Sequence, residues 1–497
     1  MAGNHDSDSN HDRLLWNPDI APVDKKVKNW GYWPLIGIWA SIAAPNSMLV
    51  GSVGIVFGFN VIQVILIALL GDLITLIPLI IQSHGAVKYG LAEPQLDRTR
   101  FGIWGTYIPS WVRFFVAMGF FGVQTFLVTE AAIGIILEIT GKAVILSAYK
   151  SVTPALLVSL FPGLFWATFI SIIIIQTIIL ILAKPTKGSP SLKFLGYIMP
   201  WVSIIALTFT FVYFVLLYPN ALITALHQPY APLTVSIIPI FLIFLVSNIH
   251  ATQVISWPDM MRFGKDFKHM LVGQIGLPIF YTLVVAYGAI MSAITEALTK
   301  SATYDPSLLI IRFITAPTIV IFILIFYAFT MLNTNIFSNV VPPVYDLNNT
   351  FPSKLTWFRG VIIVTALGIL ISAWSLYLAG AYVYFSTWIS FASGLMGPIA
   401  GIIVADYAVL KRFKINIDDV YKRNGSYTYW KGFNLVSIIT LIITFLIVFA
   451  PLYGIKYYLF IILKDASWIS GFLIAFLLYL ILSLVRGNKK WENASES

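Results

Sequence analysis

Three ionisable side chains, Asp72, Glu130 and His250, stand inside long apolar segments of the chain. An ionisable group at membrane depth is costly and is a functional candidate by default. His250 is the only one of the six histidines placed in the middle of such a segment, and imidazole changes its charge near neutral pH. The three residues are therefore candidates for carrying a coupled proton, although Glu130 also suits a packing role.

Phe120 and Gln124 form a second candidate group, because residues four apart share one face of a helix. An aromatic ring can stack on a flat heterocycle, and a carboxamide can donate to a ring carbonyl and accept from a ring N–H. The pair therefore suits a planar ligand with a lactam edge, and a core Phe beside an interhelical Gln is the alternative. Glu130 lies six residues beyond Gln124, about 600° of helical rotation, and so faces away from this site.

The segments that hold these residues are typical of a membrane protein. Of the 497 residues, 59% are hydrophobic and only 10% are charged, whereas soluble domains carry about 25% charged residues. Apolar runs of about 20 residues recur, each long enough to cross a bilayer as a helix. The first 30 residues are polar and lack the apolar core of a signal peptide. The chain has no Cys, which excludes disulfides, thiolate catalysis and Cys-based metal sites.

Hydropathy predicts an all-α integral membrane protein with twelve transmembrane helices. Of the 31 Lys and Arg residues, 25 lie in the termini and even-numbered loops, five lie in the odd-numbered loops, and Arg312 is near the start of helix 8. The positive-inside rule therefore places both termini in the cytoplasm, and the net charge of +10 follows from topology rather than from nucleic-acid binding. The predicted helices lie near residues 31–57, 60–83, 104–139, 155–183, 195–217, 234–256, 270–297, 307–341, 358–378, 382–410, 432–451 and 467–485.

Two of the predicted helices are interrupted, helix 1 by AAPNS at residues 43–47 and helix 6 by SNIHATQ at residues 247–253. Lipid tolerates such a break only where the gap lines a cavity. Breaks five helices apart predict an inverted-repeat transporter, with helices 1–5 and 6–10 as the repeats, and two kinked, packed helices are the alternative. The predicted organisation is a cytoplasmic segment 1–30, one transmembrane domain 31–485 and a tail 486–497, with repeats at 31–217 and 234–410 and helices 11–12 at 432–485.

Several motifs resemble those of the nucleobase–cation symport family, whose members carry purines, pyrimidines, hydantoins, allantoin or related vitamins. The resemblance spans roughly residues 15–450. It implies twelve helices, ten of them forming a five-plus-five inverted repeat, and alternating access driven by sodium or protons. The similar stretches are NPDIAPV (17–23), FFGVQT (120–125), SWPD (256–259), ADY (405–407), DVY (419–421) and YTYWKG (427–432).

The resemblance also implies a substrate site. It puts Asn339 at the family's substrate amide position in helix 8, although an intramembrane Asn is also common between packed helices. His250 and Phe120 each fall where the family has a Trp, and Pro45 falls where some members have a substrate-contacting Gln. These departures imply less stacking area and one more ionisable group. The predicted substrate-binding residues are Phe120, Gln124, Ile249, His250, Asn339 and Pro45.

The family's sodium site is carried over in the same way, and oxygen-only ligands suit such a hard cation. Asn333 replaces a hydroxyl residue of the family, while Thr330 and Thr334 also suit hydrogen bonds to the preceding helical turn. The coupling ion is therefore expected to be sodium, or a proton carried by His250, Glu130 and Asp72, and no other cofactor is expected. The candidate sodium ligands are Ser41, Ala44, Thr330, Asn333 and Thr334.

The predicted function is ion-coupled symport of a nucleobase or related planar heterocycle. An amino acid on the same scaffold is the alternative, but the APNS break of helix 1 lacks the glycines common in such sites. A channel would show filters or rings of charge, and an enzyme would show clustered acid–base or metal-binding residues, so neither is predicted. We expect a multi-pass protein of the plasma membrane whose partners are lipid and a small heterocycle, without nucleic acid; the oligomeric state stays open, and a monomer is compatible with the sequence.

Overall fold

The computed structural model describes residues 12–149, 151–183, 197–232 and 234–486. Residues 1–11 of the predicted N-terminal segment and residues 487–497 of the predicted tail lie outside the described residues. In the described part of the chain all regular structure is helical, apart from two isolated single-residue bridges. Nine helices there are long and apolar enough to span a membrane, and a bent pair makes ten.

A helix is present at each of the twelve predicted positions, so the prediction of an all-α integral membrane protein is confirmed. Helices 6 and 11 are the shortest of them. In chain order the helices are Tyr32–Ile42 with Pro45–Val56 (helix 1), Val61–Tyr89, Tyr107–Ile139, Pro162–Ala183, Met199–Leu217, Val235–Ser247 with Ala251–Val254 (helix 6), Phe267–Thr299, Pro317–Thr350, Trp357–Leu378, Ala381–Leu410, Leu435–Val448 and Ser467–Val485.

Helix 8 differs from its predicted bounds of 307–341. Residues Pro306–Phe313 form a separate loop helix, and the membrane helix runs from Pro317 to Thr350. The division lies at Pro317, because the residue before a proline is driven out of the helical region; Ala316 has φ −93° and ψ 102°. A second loop helix, Glu93–Phe101, escaped prediction because its sequence EPQLDRTRF is polar, although all nine of its residues are buried.

Both predicted interruptions are present. The two halves of helix 1 meet at an angle of 50°, with Ala44 extended at φ −87° and ψ 179°. Pro45 opens the second half, where its missing N–H costs nothing. Helix 6 stops at Ser247 and resumes at Ala251, with His250 outside the helical region at ψ 63°. Each break frees backbone groups and turns polar side chains toward the interior.

The second half of helix 1 packs unusually close to helix 7, across small residues. A Cβ added to Gly51 would lie 1.9 Å from the Val285 carbonyl oxygen, and one added to Gly288 would lie 1.9 Å from the Met48 carbonyl oxygen. The Ser52 hydroxyl donates to the Gly288 carbonyl at 3.0 Å across the same contact. Small residues let helix backbones approach in this way in membranes, and the contact fixes the half-helix that carries one wall of the central cavity.

Replacing Gly288 with Ala is expected to destabilise the protein by about 1–3 kcal/mol, because the added methyl group must push the two backbones apart. Thermal unfolding of the detergent-purified protein measures the effect. Gly163→Ala is the matched control, since a Cβ there would meet nothing within 4 Å. Equal unfolding temperatures for Gly288→Ala and the wild type would show that this contact is not tight.

Candidate substrate site

A cavity lies where the two broken helices face helices 3, 8 and 10. Side chains from both breaks line it, together with Phe120 and Gln124 of helix 3 and Asn339 of helix 8. Ile249 and His250 line it from the break of helix 6. Five of the six predicted substrate residues therefore meet around one cavity, although they come from three segments that are far apart in the sequence.

The sixth predicted residue, Pro45, is buried but does not line the cavity, and its neighbour Asn46 does. Successive residues of a helix point about 100° apart, so the first turn after the break directs Asn46 rather than Pro45 inward. The Asn46 side-chain oxygen is buried and has no hydrogen-bond partner among the described residues. In the sequence this amide is one of the two polar side chains, Asn46 and Ser47, of the APNS break.

An amide network fixes the polar edge of the cavity. The Asn339 Nδ2 atom donates to Gln124 Oε1 at 3.1 Å and to Asn335 Oδ1 at 2.9 Å. Both of its hydrogens are thereby used. Within the described chain, Gln124 Nε2 and Asn339 Oδ1 have no partner of their own. The cavity wall therefore presents one donor beside one acceptor, the complement of a C=O group next to an N–H group.

Aromatic rings cover the neighbouring walls. Phe120 is half-buried and meets Trp388 of helix 10 edge-on, with ring centroids 6.2 Å apart. Tyr281 of helix 7 packs edge-on against His250 at 4.1 Å. Tyr384 and Phe385 of helix 10 complete this surface. Rings on several sides of a narrow cavity suit a flat, unsaturated ligand.

His250 and Asp72 are brought together at the edge of the cavity. The distance from His250 Nε2 to Asp72 Oδ1 is 3.3 Å, and Asp72 is fully buried. The Thr282 hydroxyl donates to Asp72 Oδ2 at 2.7 Å. Because His250 lines the cavity, a proton on this pair would lie beside the substrate. Glu130, the third proton-coupling candidate, does not line the cavity.

Three of the five candidate sodium ligands form one cluster. The Thr334 hydroxyl donates to the Ser41 carbonyl at 2.7 Å, and the Asn333 amide donates to the Ser41 hydroxyl at 3.1 Å. The Asn333 Oδ1 atom is buried and has no hydrogen-bond partner among the described residues, as a cation ligand requires. The other two candidate ligands make hydrogen bonds within their own chain segments. The Thr330 hydroxyl donates to the Phe326 carbonyl, and the Ala44 carbonyl accepts from the Ser47 N–H.

A buried ion network ties helix 3, helix 8 and the segment that leaves helix 6 together on the inner side, the side of the N-terminal segment. Arg113 binds Asp346 through two nitrogens, at 2.7 and 2.5 Å, and Asp259 through a third at 3.0 Å. Arg113 lies eleven residues before Gln124, about 16 Å along helix 3. In the sequence Arg113 counted only as a positive charge, because nothing local indicated its two partners.

The loop helix Glu93–Phe101 packs beside this network. The Glu93 N–H donates to Asp259 Oδ1 at 2.9 Å. Burial raises the pKa of Glu93 well above its usual range, and it raises the pKa of Asp97 to about 6 even though the Arg100 guanidinium nearby opposes the shift. Arg100 Nε lies 3.3 Å from Asp97. This buried polar layer thus extends the Arg113 network on the inner side.

Two interrupted helices around a central cavity, in a bundle of twelve, define a secondary transporter of the five-plus-five inverted-repeat class. The chain belongs to the family of permeases for cytosine/purines, uracil, thiamine and allantoin, whose model matches residues 22–471. The family, fold class and transporter predictions are therefore confirmed, as is the prediction that the protein is not an enzyme.

Similar proteins cover nearly the whole chain. The allantoin permease of Bacillus subtilis is 28% identical over 484 residues, which are 95% of this chain and 94% of that protein. The purine-uracil permease NCS1 of Arabidopsis thaliana is 28% identical over 504 residues, 99% of this chain and 81% of that protein. Neither identity is high enough to transfer a substrate directly.

Solved structures share the fold. Mhp1, a nucleobase-cation-symport-1 family transporter in a closed conformation with bromovinylhydantoin bound, superposes with a TM-score of 0.72 at 22% identity, over 97% of this chain and 99% of that chain. Its inward-facing conformation gives a TM-score of 0.69 at 22% identity, over 97% of both chains. At this identity the comparison establishes the twelve-helix architecture, and the roles of individual residues rest on the cavity itself.

Proposed function

We propose that this protein carries a planar heterocycle with a lactam edge, bound between Phe120, Gln124, His250 and Asn339. The observation that carries the proposal is the donor–acceptor pair of Gln124 Nε2 and Asn339 Oδ1, which matches adjacent C=O and N–H groups of a ring. Uracil, allantoin and hydantoins all present that edge. Relatives named as allantoin, purine-uracil and hydantoin permeases support the same class.

An amino-acid substrate is less well supported. Its carboxylate would require a cation or free N–H groups, whereas no Lys or Arg is among the described residues that line the cavity. The polar groups of the wall are mostly amides and hydroxyls, and the titratable ones are His250 and tyrosines. A neutral, flat molecule fits these walls better than a zwitterion does.

For the coupling ion, we propose a proton carried by the His250–Asp72 pair. This pair borders the cavity, so substrate and proton can influence each other's binding directly. At the candidate sodium position, the Thr334 hydroxyl and the Asn333 amide instead hydrogen-bond to Ser41. The buried Asn333 Oδ1 atom has no hydrogen-bond partner among the described residues, which makes sodium the specific alternative. We further propose a location in the plasma membrane, with both termini in the cytoplasm.

Uptake of labelled uracil, allantoin or hydantoin into proteoliposomes tests this coupling. We expect an inward proton gradient to drive accumulation, and we expect His250→Gln, which cannot change charge, to abolish accumulation while exchange continues. His84→Gln is the matched control, because His84 binds the Tyr407 hydroxyl at 2.9 Å and does not line the cavity. Accumulation driven by a sodium gradient alone, unchanged in His250→Gln, would show that sodium is the coupling ion.

A further inference from the structure

Two buried carboxyl groups face each other away from the substrate cavity. Glu130 of helix 3 and Asp305, the residue before the loop helix Pro306–Phe313, lie within hydrogen-bonding reach of one another. Glu130 is fully buried and Asp305 is 1% exposed. Neither carboxyl group takes part in an ion pair within the described chain. Two unpaired negative charges at this distance in an apolar interior are not sustainable.

The hydrogen bonds show which partner is charged. Asp305 Oδ1 accepts from the Leu308 N–H at 2.9 Å, and its Oδ2 accepts from the Tyr377 hydroxyl at 2.5 Å. Donors on both oxygens stabilise a carboxylate. Both oxygens of Glu130, in contrast, are buried without a hydrogen-bond donor among the described residues. Glu130 is therefore the partner that is placed to carry a hydrogen and to donate it to Asp305.

The groups around the pair do not supply a positive charge. The titratable side chains that face it are Tyr304 from the loop, Tyr327 from helix 8 and Tyr377 from the end of helix 9. Arg312, on the same loop helix as Leu308, donates instead to the Tyr149 carbonyl at 2.6 Å. Among the described residues no group of three or more His, Cys, Asp or Glu side chains is placed to hold a metal ion, so a proton is the neutralising cation.

The position of the pair indicates what the proton would control. Asp305 anchors the loop between helices 7 and 8, and Tyr377 lies 5.7 Å from Tyr384, whose ring lines the cavity. Glu130 lies six residues past Gln124, about 9 Å farther from the inner side. The pair thus joins helix 3, the loop helix and the start of helix 10 on the side of the cavity opposite the Arg113 network.

We propose that Glu130 and Asp305 bind one shared proton, and that this proton holds the loop helix Pro306–Phe313 docked on helix 3. Loss of the proton leaves two adjacent carboxylates, whose repulsion loosens the outer side of the cavity. The site is separate from the His250–Asp72 pair and does not depend on which substrate is carried. It makes the proposed transport cycle depend on pH at a second site, on the outer side of the cavity.

Thermal unfolding of the full-length protein in detergent, without substrate, tests the site. An unfolded carboxyl loses its proton at about pH 4–5, so above that range the folded protein binds one proton more than the unfolded chain. Stability must then fall as pH rises from there up to the pH at which the folded pair releases its proton. We expect the unfolding temperature to fall by about 1–3 °C per pH unit in that range.

Glu130→Gln replaces the protonated side chain with a neutral group of the same shape that also donates to Asp305. This variant should fold and should lose that part of the pH dependence. Glu138→Gln is the matched control, because Glu138 lies eight residues along the same helix and is half-exposed. Tyr377→Phe, which removes one donor to Asp305, should extend the fall to higher pH. Hydrogen exchange of residues 306–313 should rise with pH in the wild type and not in Glu130→Gln.

The same measurements can overturn the proposal. An equal fall of the unfolding temperature in Glu130→Gln and the wild type would mean that the pair holds no shared proton. Stabilisation by added sodium that disappears in Glu130→Gln would mean that the oxygens bind a metal cation instead. Because substrate is absent throughout, these outcomes are independent of the proposed heterocycle site.

Discussion

Replacing Gln124 with Ala is expected to weaken heterocycle binding about 100-fold, the largest effect of any single change in the cavity wall. The substitution removes the donor that faces the substrate carbonyl. It also removes the acceptor of one Asn339 hydrogen, which bonds Gln124 Oε1 at 3.1 Å. A buried polar group left without a partner costs more than the lost bond itself. Asn339→Ala should have a similar effect, since it removes the acceptor for the ring N–H.

Titration of the purified variants with uracil, allantoin and hydantoin measures this loss. Gln176→Ala is the matched control, because Gln176 is also a buried amide against helix 3 but donates to Thr125 at 2.8 Å and does not line the cavity. On the ligand side, methylating the ring N–H should reproduce the loss seen in Asn339→Ala. Unchanged affinity in well-folded Gln124→Ala would remove the basis for the proposed site.

Replacing Arg113 with Ala is expected to have the largest effect on stability. The change leaves Asp259 and Asp346 buried without their counter-charge, and breaking a buried ion pair in this way costs about 3–5 kcal/mol. Arg113→Lys should recover only part of the loss, because an ammonium group cannot make the two parallel bonds to Asp346. The expected results are a strongly lowered unfolding temperature for Arg113→Ala and an intermediate one for Arg113→Lys.

Arg423→Ala provides the control for that series. Arg423 pairs with Asp12 at the surface, where its side chain is 52% exposed, and surface ion pairs contribute little to stability. Size-exclusion profiles and thermal unfolding of the three variants, in the same detergent, separate the two kinds of pair. If Arg113→Ala proved as stable as Arg423→Ala, the inner network would not hold helix 3, helix 8 and the segment that leaves helix 6 together.

Local pattern was enough to predict the helices and their breaks. Apolar runs marked the twelve helices, and polar residues inside two of them marked the gaps, because lipid penalises unsatisfied backbone wherever no cavity exists. Phe120 and Gln124 were predictable as a pair, since their spacing of four is a property of one helix. The helix 8 boundary was missed because the apolar pattern continues across Pro317, where backbone geometry rather than hydropathy ends the loop helix.

Contacts between distant segments could not be predicted from the sequence. The Asp72–His250 pair joins residues 178 positions apart, and Arg113 meets Asp346 across 233 positions. No periodicity encodes such distances. That Asn46 rather than Pro45 lines the cavity likewise depends on how the first turn after the break is oriented. Glu130 was recognisable from its residue type as a costly carboxyl group at membrane depth, but its partner Asp305 lies in a loop for which hydropathy makes no prediction.

A thermal-shift screen of the detergent-purified protein tests whether the cavity between the two breaks binds a lactam-bearing heterocycle. The panel contains uracil, purines, hydantoin, allantoin and amino acids, with and without sodium, at two pH values. A bound ligand raises the unfolding temperature as its concentration exceeds its dissociation constant. We predict that at least one heterocycle with adjacent C=O and N–H groups raises the unfolding temperature and that its N-methylated form does not. A shift with an amino acid and with no heterocycle would contradict this prediction.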